Sequence, residues 1–269
     1  MKQSAIFCAL MFVGLFTTAF AEPVKEKPLF TFAVAADPHL SDNRAGEPTG
    51  IEKFKRLVQK VEALAEKPDF LMLAGDLHVD RLPQAITESK VKIPLHVVPG
   101  NHEHADSRKA LEKMFPADFK GKDFYSFVHK ECLFVGLADA AGNGDHVGHL
   151  DSEAIRGQDQ GEWLRKTLAN HRGKVKQTFI IAHIPPNPDG RAQTMHLAAN
   201  DQKFLRDLAG EYKPITFFFG HLHRRWEFPF GPAKVYVAPS VNWNFEGQAK
   251  GFYHVKVYPT RVEVEFVKL

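Results

Sequence analysis

Five short blocks of Asp, His, Asn and Gly constrain this chain most, because each block directly follows an apolar run typical of a β-strand. In chain order the blocks are Asp37-Pro38-His39, Gly75-Asp76, Gly100-Asn101-His102-Glu103, His183 and Gly220-His221-Leu222-His223. Open α/β sheets present their ligand-binding groups where the strands end. The pattern therefore predicts that side chains from all five blocks meet at one edge of a sheet.

Strand and helix patterns alternate along the chain. Continuous apolar runs predict strands at 29–36, 70–74, 93–98, 124–128, 132–138, 178–182 and 215–219. Apolar residues at helical spacing predict helices across 51–65, 163–168 and 204–208. Three later runs, 234–238, 252–258 and 261–267, have no helix between them and predict an antiparallel meander that closes the sheet. The predicted fold class is α/β (α+β), a two-sheet mixed β-sandwich with flanking helices.

The first 21 residues have the features of a secretory signal peptide. Lys2 supplies a positive start, residues 5–20 are apolar or small, and Ala19-Phe20-Ala21 forms an A-x-A cleavage site. An uncleaved membrane anchor is the alternative, although the run is short for a span of about 20 residues. We therefore expect residues 1–21 to be removed. Residues 22–269 are expected to form one exported domain, periplasmic or secreted, with no membrane span.

Charge and cysteine content narrow the class of protein. The chain carries 35 Lys and Arg against 32 Asp and Glu, and the net charge of +3 is too weak to favour nucleic acid or a membrane surface as a partner. Removal of residues 1–21 also removes Cys8 and leaves Cys132 as the one cysteine. A single thiol cannot close an internal disulfide, and its apolar surroundings predict that it is buried and inert.

The residue types in the five blocks suit metal chemistry. Asp and His together favour transition metals such as Zn, Mn and Fe. A glycine before Asp76, Asn101 and His221 permits the unusual backbone angles of a sharp turn. A carboxylate such as Asp76 can bridge two cations through its two oxygens. Two ions about 3.5–4 Å apart can stabilise both the attacking and the departing oxygen of a phosphoryl displacement.

The order D-x-H, G-D, G-N-H-[DE], H, G-H-x-H resembles that of the calcineurin-like metallophosphoesterase superfamily, from Asp37 to His223. The resemblance implies a two-sheet sandwich that holds two metal ions, Mn, Fe or Zn, at strand C-termini. It implies Asp37, His39 and His223 as ligands of the first ion. It also implies Asn101, His183 and His221 as ligands of the second ion, Asp76 as the bridge, and His102 as a catalytic histidine that binds no metal.

Two departures from the family pattern follow Asp76. The branch with purple iron centres has a ligating Tyr three residues after the bridging Asp, and the residue here is Val79, which disfavours an iron–tyrosinate site. The protein phosphatase branch has Asp at that position, whereas Asp80 lies one residue later. Asp80 either orients His102 or forms a surface ion pair.

The expected function is that of an exported dinuclear phosphoesterase. The substrate would be a small phosphate mono- or diester, attacked by a hydroxide that bridges the metals, with His102 protonating the leaving oxygen. The alternative is a non-catalytic, metal-dependent binding or scaffold protein on the same fold. The residues do not fix the natural substrate, the metals or the oligomeric state.

Two further segments have open interpretations. The stretch 140–161 is rich in Gly, Asp and His and is long for a connection, so it is either a functional loop or a mobile surface excursion. The run Asn242-Trp243-Asn244-Phe245 follows a predicted strand. Its aromatic residues either form a substrate wall that stacks on a base or sugar, or pack at the edge of the core.

Overall fold

A computed structural model of the chain describes residues 26–142, 144–157, 159–191 and 193–269. The predicted signal peptide at residues 1–21 lies outside this described part. Within it, no helix combines the length and the apolar character needed to cross a membrane.

The described residues form eleven strands and five α-helices. The strands are β1 Phe30–Ala35, β2 Leu71–Ala74, β3 Leu95–Val98, β4 Tyr125–His129, β5 Cys132–Gly136, β6 Gln177–Ile181, β7 Ile215–Phe219, β8 Trp226–Phe230, β9 Ala233–Val237, β10 Gly251–Val257 and β11 Val262–Lys268. The helices are α1 Gly50–Glu62, α2 Leu82–Ser89, α3 Ala105–Met114, α4 Gln160–His171 and α5 Ala199–Glu211. The patterns predicted neither α2 nor α3.

The strands form two mixed sheets. The first has the order β11-β10-β1-β2-β3, in which β1, β2 and β3 are parallel and β10 is antiparallel to both of its neighbours. The second has the order β4-β5-β6-β7-β9-β8, in which β5, β6, β7 and β9 are parallel. This arrangement confirms the predicted two-sheet mixed sandwich with flanking helices.

Alternation along the strands divides the core into layers. In β6, Phe179 belongs to the cluster between the sheets, whereas its neighbour Ile180 belongs to the cluster formed with α4 and α5. Aromatic rings fill the space between the sheets. The ring of Phe134 in the second sheet lies 5.0 Å from that of Phe32 in the first, at 88°.

Local sequence accounts for the start of α1. The Thr49 side chain accepts a hydrogen bond from the backbone of Glu52, and the Glu52 carboxylate accepts one from the backbone of Thr49, which forms a capping box. The apolar face of α1, including Phe54 and Val58, is buried against the first sheet. The helix ends at Glu62, three residues before the predicted end.

The predicted C-terminal meander is wrong in part. The antiparallel pair β10 and β11 closes the first sheet beside β1, but β9 belongs to the second sheet and runs parallel to β7. The unpredicted strand β8 pairs with β9 and contains Pro229. Proline lacks an N–H donor and is tolerated at a sheet edge, which is where β8 lies.

The structure confirms the inert environment predicted for the thiol. Cys132 begins β5 and is buried. Burial raises the pKa of its thiol to about 11, so the reactive thiolate is disfavoured at neutral pH.

Candidate metal centre

The five blocks lie at the C-terminal ends of parallel strands from both sheets. They follow β1, β2 and β3 in the first sheet and β6 and β7 in the second. Backbone hydrogen bonds connect the resulting loops. The N–H of His39 donates to the carbonyl of Asp76 at 3.0 Å, and the N–H of Gly220 donates to that of His183 at 3.0 Å.

Two glycines permit the close approach of these loops. A Cβ atom on Gly100 would lie 2.3 Å from Oδ1 of Asp76, and one on Gly75 would lie 2.3 Å from Nδ1 of His183. Gly75 also has a φ of +83°, in the left-handed region that favours glycine. Any larger residue would displace a predicted ligand.

Several predicted ligands occupy the left-handed region themselves. These are Asp37 (φ 51°), His39 (39°), Asp76 (51°), His221 (68°) and His223 (47°). Asp and His enter this region more readily than most residues, at a cost of about 1–3 kcal/mol each where the surroundings enforce it. The turn after each strand is thereby directed toward a common centre.

The predicted ligands converge into two groups that share Asp76. Within each group the ligand atoms lie within 4.8 Å of one another, and the groups are Asp37, His39, Asp76 and His223, and Asp76, His183 and His221. Oδ1 of Asp76 is 3.3 Å from Nε2 of His183, and Oδ2 is 3.5 Å from Nε2 of His39. The buried Asn101 places its Oδ1 3.0 Å from the same nitrogen of His183. Metal binding by these seven residues remains a prediction.

Backbone carbonyls orient two of the histidines. Nδ1 of His183 lies 2.9 Å from the carbonyl oxygen of Ala74, and Nδ1 of His223 lies 2.8 Å from that of Trp243. A carbonyl oxygen only accepts, so each Nδ1 carries the proton. Each Nε2 therefore faces the centre, where a histidine that binds a metal would present its lone pair.

The donor set fits a pair of cations. Nε2 of His39 lies 3.0 Å from Nε2 of His223, so two ring nitrogens face each other at the centre. Nδ1 of His221 likewise lies 3.2 Å from Nε2 of His183, and Oδ1 of Asn101 faces the same nitrogen. Acceptor atoms gathered in this way repel one another unless a positive charge lies between them.

The pKa shifts of the buried groups also indicate that the centre favours a positive charge. Burial raises the pKa of the Asp76 carboxyl, but His183 and His39 outweigh it and hold that pKa well below its usual range. Burial lowers the pKa of His183, but Asp76 and Asp37 outweigh it and bring that pKa to about 10. Burial lowers the pKa of His39 to about 4 and that of His221 to about 2. Without metal, one proton on His183 thus stands in for a cation between the carboxylates.

His102 differs from the predicted ligands in its exposure. Its side chain is 45% exposed, and its Nε2 lies 3.9 Å from Oδ2 of Asp76. Its backbone N–H donates to Oδ1 of Asp76 at 3.1 Å. Asp80 is exposed, and in the described part of the chain it makes neither a hydrogen bond to His102 nor an ion pair, so neither of the two roles considered for it is seen.

Two buried carboxylates hold the loops in place and were not assigned from the sequence. Glu103 accepts hydrogen bonds from the backbone N–H groups of Leu77, His78 and Gly100. Asp139 accepts them from His183 and Ile184, and burial raises its pKa to about 7. Asp139 directly follows the apolar run of β5, just as the five blocks follow their strands. Its place at this edge could therefore have been predicted from the sequence.

A small cleft opens above the predicted ligands. It has a volume of about 90 Å³ and is lined by His39, Asp76, Asn101, His102, His146, Met195, His221, His223, Trp243 and Phe245. His146 comes from the long loop of uncertain role, and its ring lies 5.4 Å from that of His221. Part of that loop therefore borders the cleft, while its Leu150 and Ile155 are buried.

Comparison with known sequences agrees with this geometry. The profile of the family described as calcineurin-like phosphoesterase matches residues 30–225. A probable cyclic nucleotide phosphodiesterase of Fibrobacter succinogenes is 26% identical over 233 residues, 82% of this chain and 83% of the relative. A probable glycerophosphodiester phosphodiesterase of Arcobacter nitrofigilis is 25% identical over 174 residues, 61% of this chain and 60% of the relative.

Comparison with solved structures supports the fold. A dimetal phosphatase from Danio rerio superimposes with a TM-score of 0.69, at 18% identity, and the match covers 90% of this chain and 97% of that one. At this identity the likeness concerns the fold alone.

The close approach at Gly100 yields a test of the centre. Gly100→Ala places a methyl group 2.3 Å from Oδ1 of Asp76, so we expect bound metal to fall at least tenfold by elemental analysis. The control is Gly210→Ala on α5, where the new Cβ meets nothing within 4 Å. Unchanged metal content in a folded Gly100→Ala protein would contradict the assigned arrangement.

Proposed function

The chain belongs to the calcineurin-like phosphoesterase family, and on that basis we propose that it hydrolyses a phosphodiester with the help of two transition-metal ions. The observation that carries the proposal is the shared carboxylate. Asp76 directs one oxygen toward His183 and the other toward His39, which belong to different ligand groups.

The ligand sets follow from those groups. Asp37, His39, Asp76 and His223 would hold one ion, and Asp76, Asn101, His183 and His221 the other. When bound, Mn, Fe or Zn would supply a Lewis acid for the phosphoryl oxygens and a water of lowered pKa. The carbonyl partners of His183 and His223 keep both rings in the orientation that this task requires.

The lining of the cleft favours a diester over a monoester. A diester carries one negative charge, whereas a monoester carries close to two at neutral pH. No Lys or Arg lines the cleft in the described part of the chain, so a second phosphate charge would have the metal ions as its one cationic partner there. The two relatives described above carry names of phosphodiesterases, which supports the same choice.

We assign the donation of a proton to His102. It lies at the mouth of the cleft, beside Asp76, and it is more exposed than the predicted ligands. A histidine in that position can protonate the leaving oxygen while the buried residues remain occupied with metal. The binding or scaffold alternative requires no such group.

Replacement of His102 tests this assignment. We expect His102→Gln to retain both metals and to lose about 10²–10⁴-fold in kcat for methyl phenyl phosphate, whose leaving group needs a proton. The loss should be much smaller for methyl p-nitrophenyl phosphate, which has a better leaving group. The measurement is steady-state kinetics on Mn-, Zn- or Fe-loaded protein, with metal content determined in parallel.

The control is His171→Gln on α4, a histidine whose ring donates to the carbonyl of Thr167 in the same helix and which does not line the cleft. Equal losses for the two leaving groups would exclude proton donation by His102. Wild-type protein that binds two metals and hydrolyses neither diester would instead favour the binding or scaffold function.

We also propose that this reaction takes place outside the cytoplasm. The proposal rests on the signal-like features of residues 1–21. The expected mature protein begins at Glu22, which N-terminal sequencing of the exported protein can determine. Protein that retains Met1 and stays in the cytoplasm would contradict export.

A further inference from the structure

The cleft above the predicted metal ligands is open to solvent and has a volume of about 90 Å³. Five of its lining residues are predicted metal ligands, and its aromatic side chains other than histidine are Trp243 and Phe245. The phosphate would lie at the ligands. The ester group that stays on the phosphate would therefore extend toward the rim of the cleft.

An exposed aromatic ring forms part of that rim. Phe245 lines the cleft and is 50% exposed, and among the described residues only Leu29 and Val128 are other large apolar side chains with comparable exposure. Its ring centre lies 5.9 Å from that of His223, a predicted ligand. The free ring surface is thus next to the site where the phosphate would bind.

Trp243 lies against this ring and is less exposed than Phe245. The ring centre of His223 lies 3.9 Å from that of Trp243, and Cζ of Arg44 lies 4.3 Å from it. Both groups lie close over the indole, which leaves little of its face for a third group. Phe245 contacts Trp243 nearly at right angles, at 5.0 Å and 85°.

Hydrogen bonds fix this aromatic pair to the loops that carry the predicted ligands. The buried Asn242 amide donates to the carbonyl of His39 at 2.7 Å and accepts from Nζ of Lys53 at 2.6 Å. The backbone N–H of Phe245 donates to the carbonyl of His223 at 3.2 Å. A ring held in this way loses little freedom when a ligand packs on it.

We propose that Phe245 determines substrate specificity by stacking on a flat aromatic ring carried by the ester group that remains on the phosphate. This inference rests on the diesterase function proposed above. Diesters of aryl or nucleobase-bearing alcohols are then preferred over diesters of methanol or glycerol. Stacking of a base on an aromatic side chain corresponds to a factor of about 10 to 100 in affinity.

Two diesters with the same leaving group test the proposal. Phenyl p-nitrophenyl phosphate and methyl p-nitrophenyl phosphate both release p-nitrophenolate, so their ratio of kcat/KM reports the group that stays. In metal-loaded wild type we expect the phenyl ester to be preferred. Phe245→Ala should lower kcat/KM for the phenyl ester about 10- to 100-fold and for the methyl ester much less. Phe245→Tyr, which keeps a ring, should retain the preference.

The matched control is Val128→Ala, because Val128 is an equally exposed apolar residue on β4 that does not line the cleft. It should leave both esters unchanged. A phenyl preference that survives Phe245→Ala, or equal rates for the two esters in wild type, overturns the inference and leaves the diesterase function standing. Hydrolysis of neither ester by metal-loaded wild type overturns the diesterase function and the inference together.

Discussion

Asp76 is the residue on which the geometry of this centre depends, because its two oxygens face histidines that come from different sheets. One oxygen faces His183 after β6 of the second sheet, and the other faces His39 after β1 of the first. The side chain is almost wholly buried, so solvent can offset little of its charge. A positive charge is therefore needed beside Asp76, between residues of the two sheets. The fold in this way creates the demand that bound cations would meet.

Two buried carboxylates near Asp76 hold the surrounding loops in place without being predicted metal ligands themselves. Glu103 gathers three backbone N–H groups from two loops, and Asp139 gathers two more beside His183. Burial raises the pKa of both carboxyls, and the charge of Asp76 adds to this effect at Glu103. Gly75 and Gly100 leave the space that these loops need. The left-handed turns at the ligands are thus held by hydrogen bonds that lie outside the predicted metal shell.

Local sequence patterns were sufficient to predict much of this architecture. Apolar runs followed by Asp, His or Gly predicted which strands carry the blocks, because burial and turn formation depend on neighbouring residues. The edge strand β8 was missed, since Pro229 interrupts its pattern. Asn242 could not be assigned, because its partner His39 lies 203 residues away in sequence. The same limit applies to Phe245, whose place at the cleft depends on β9 joining the second sheet.

The most direct test of the central claim is anomalous diffraction from crystals grown with Mn²⁺. The account predicts two manganese peaks per chain, about 3.5–4 Å apart, with one carboxylate oxygen of Asp76 on each ion. His183 and His221 should lie on one ion, and His39 and His223 on the other. A single peak, or two peaks of which neither contacts Asp76, would contradict it.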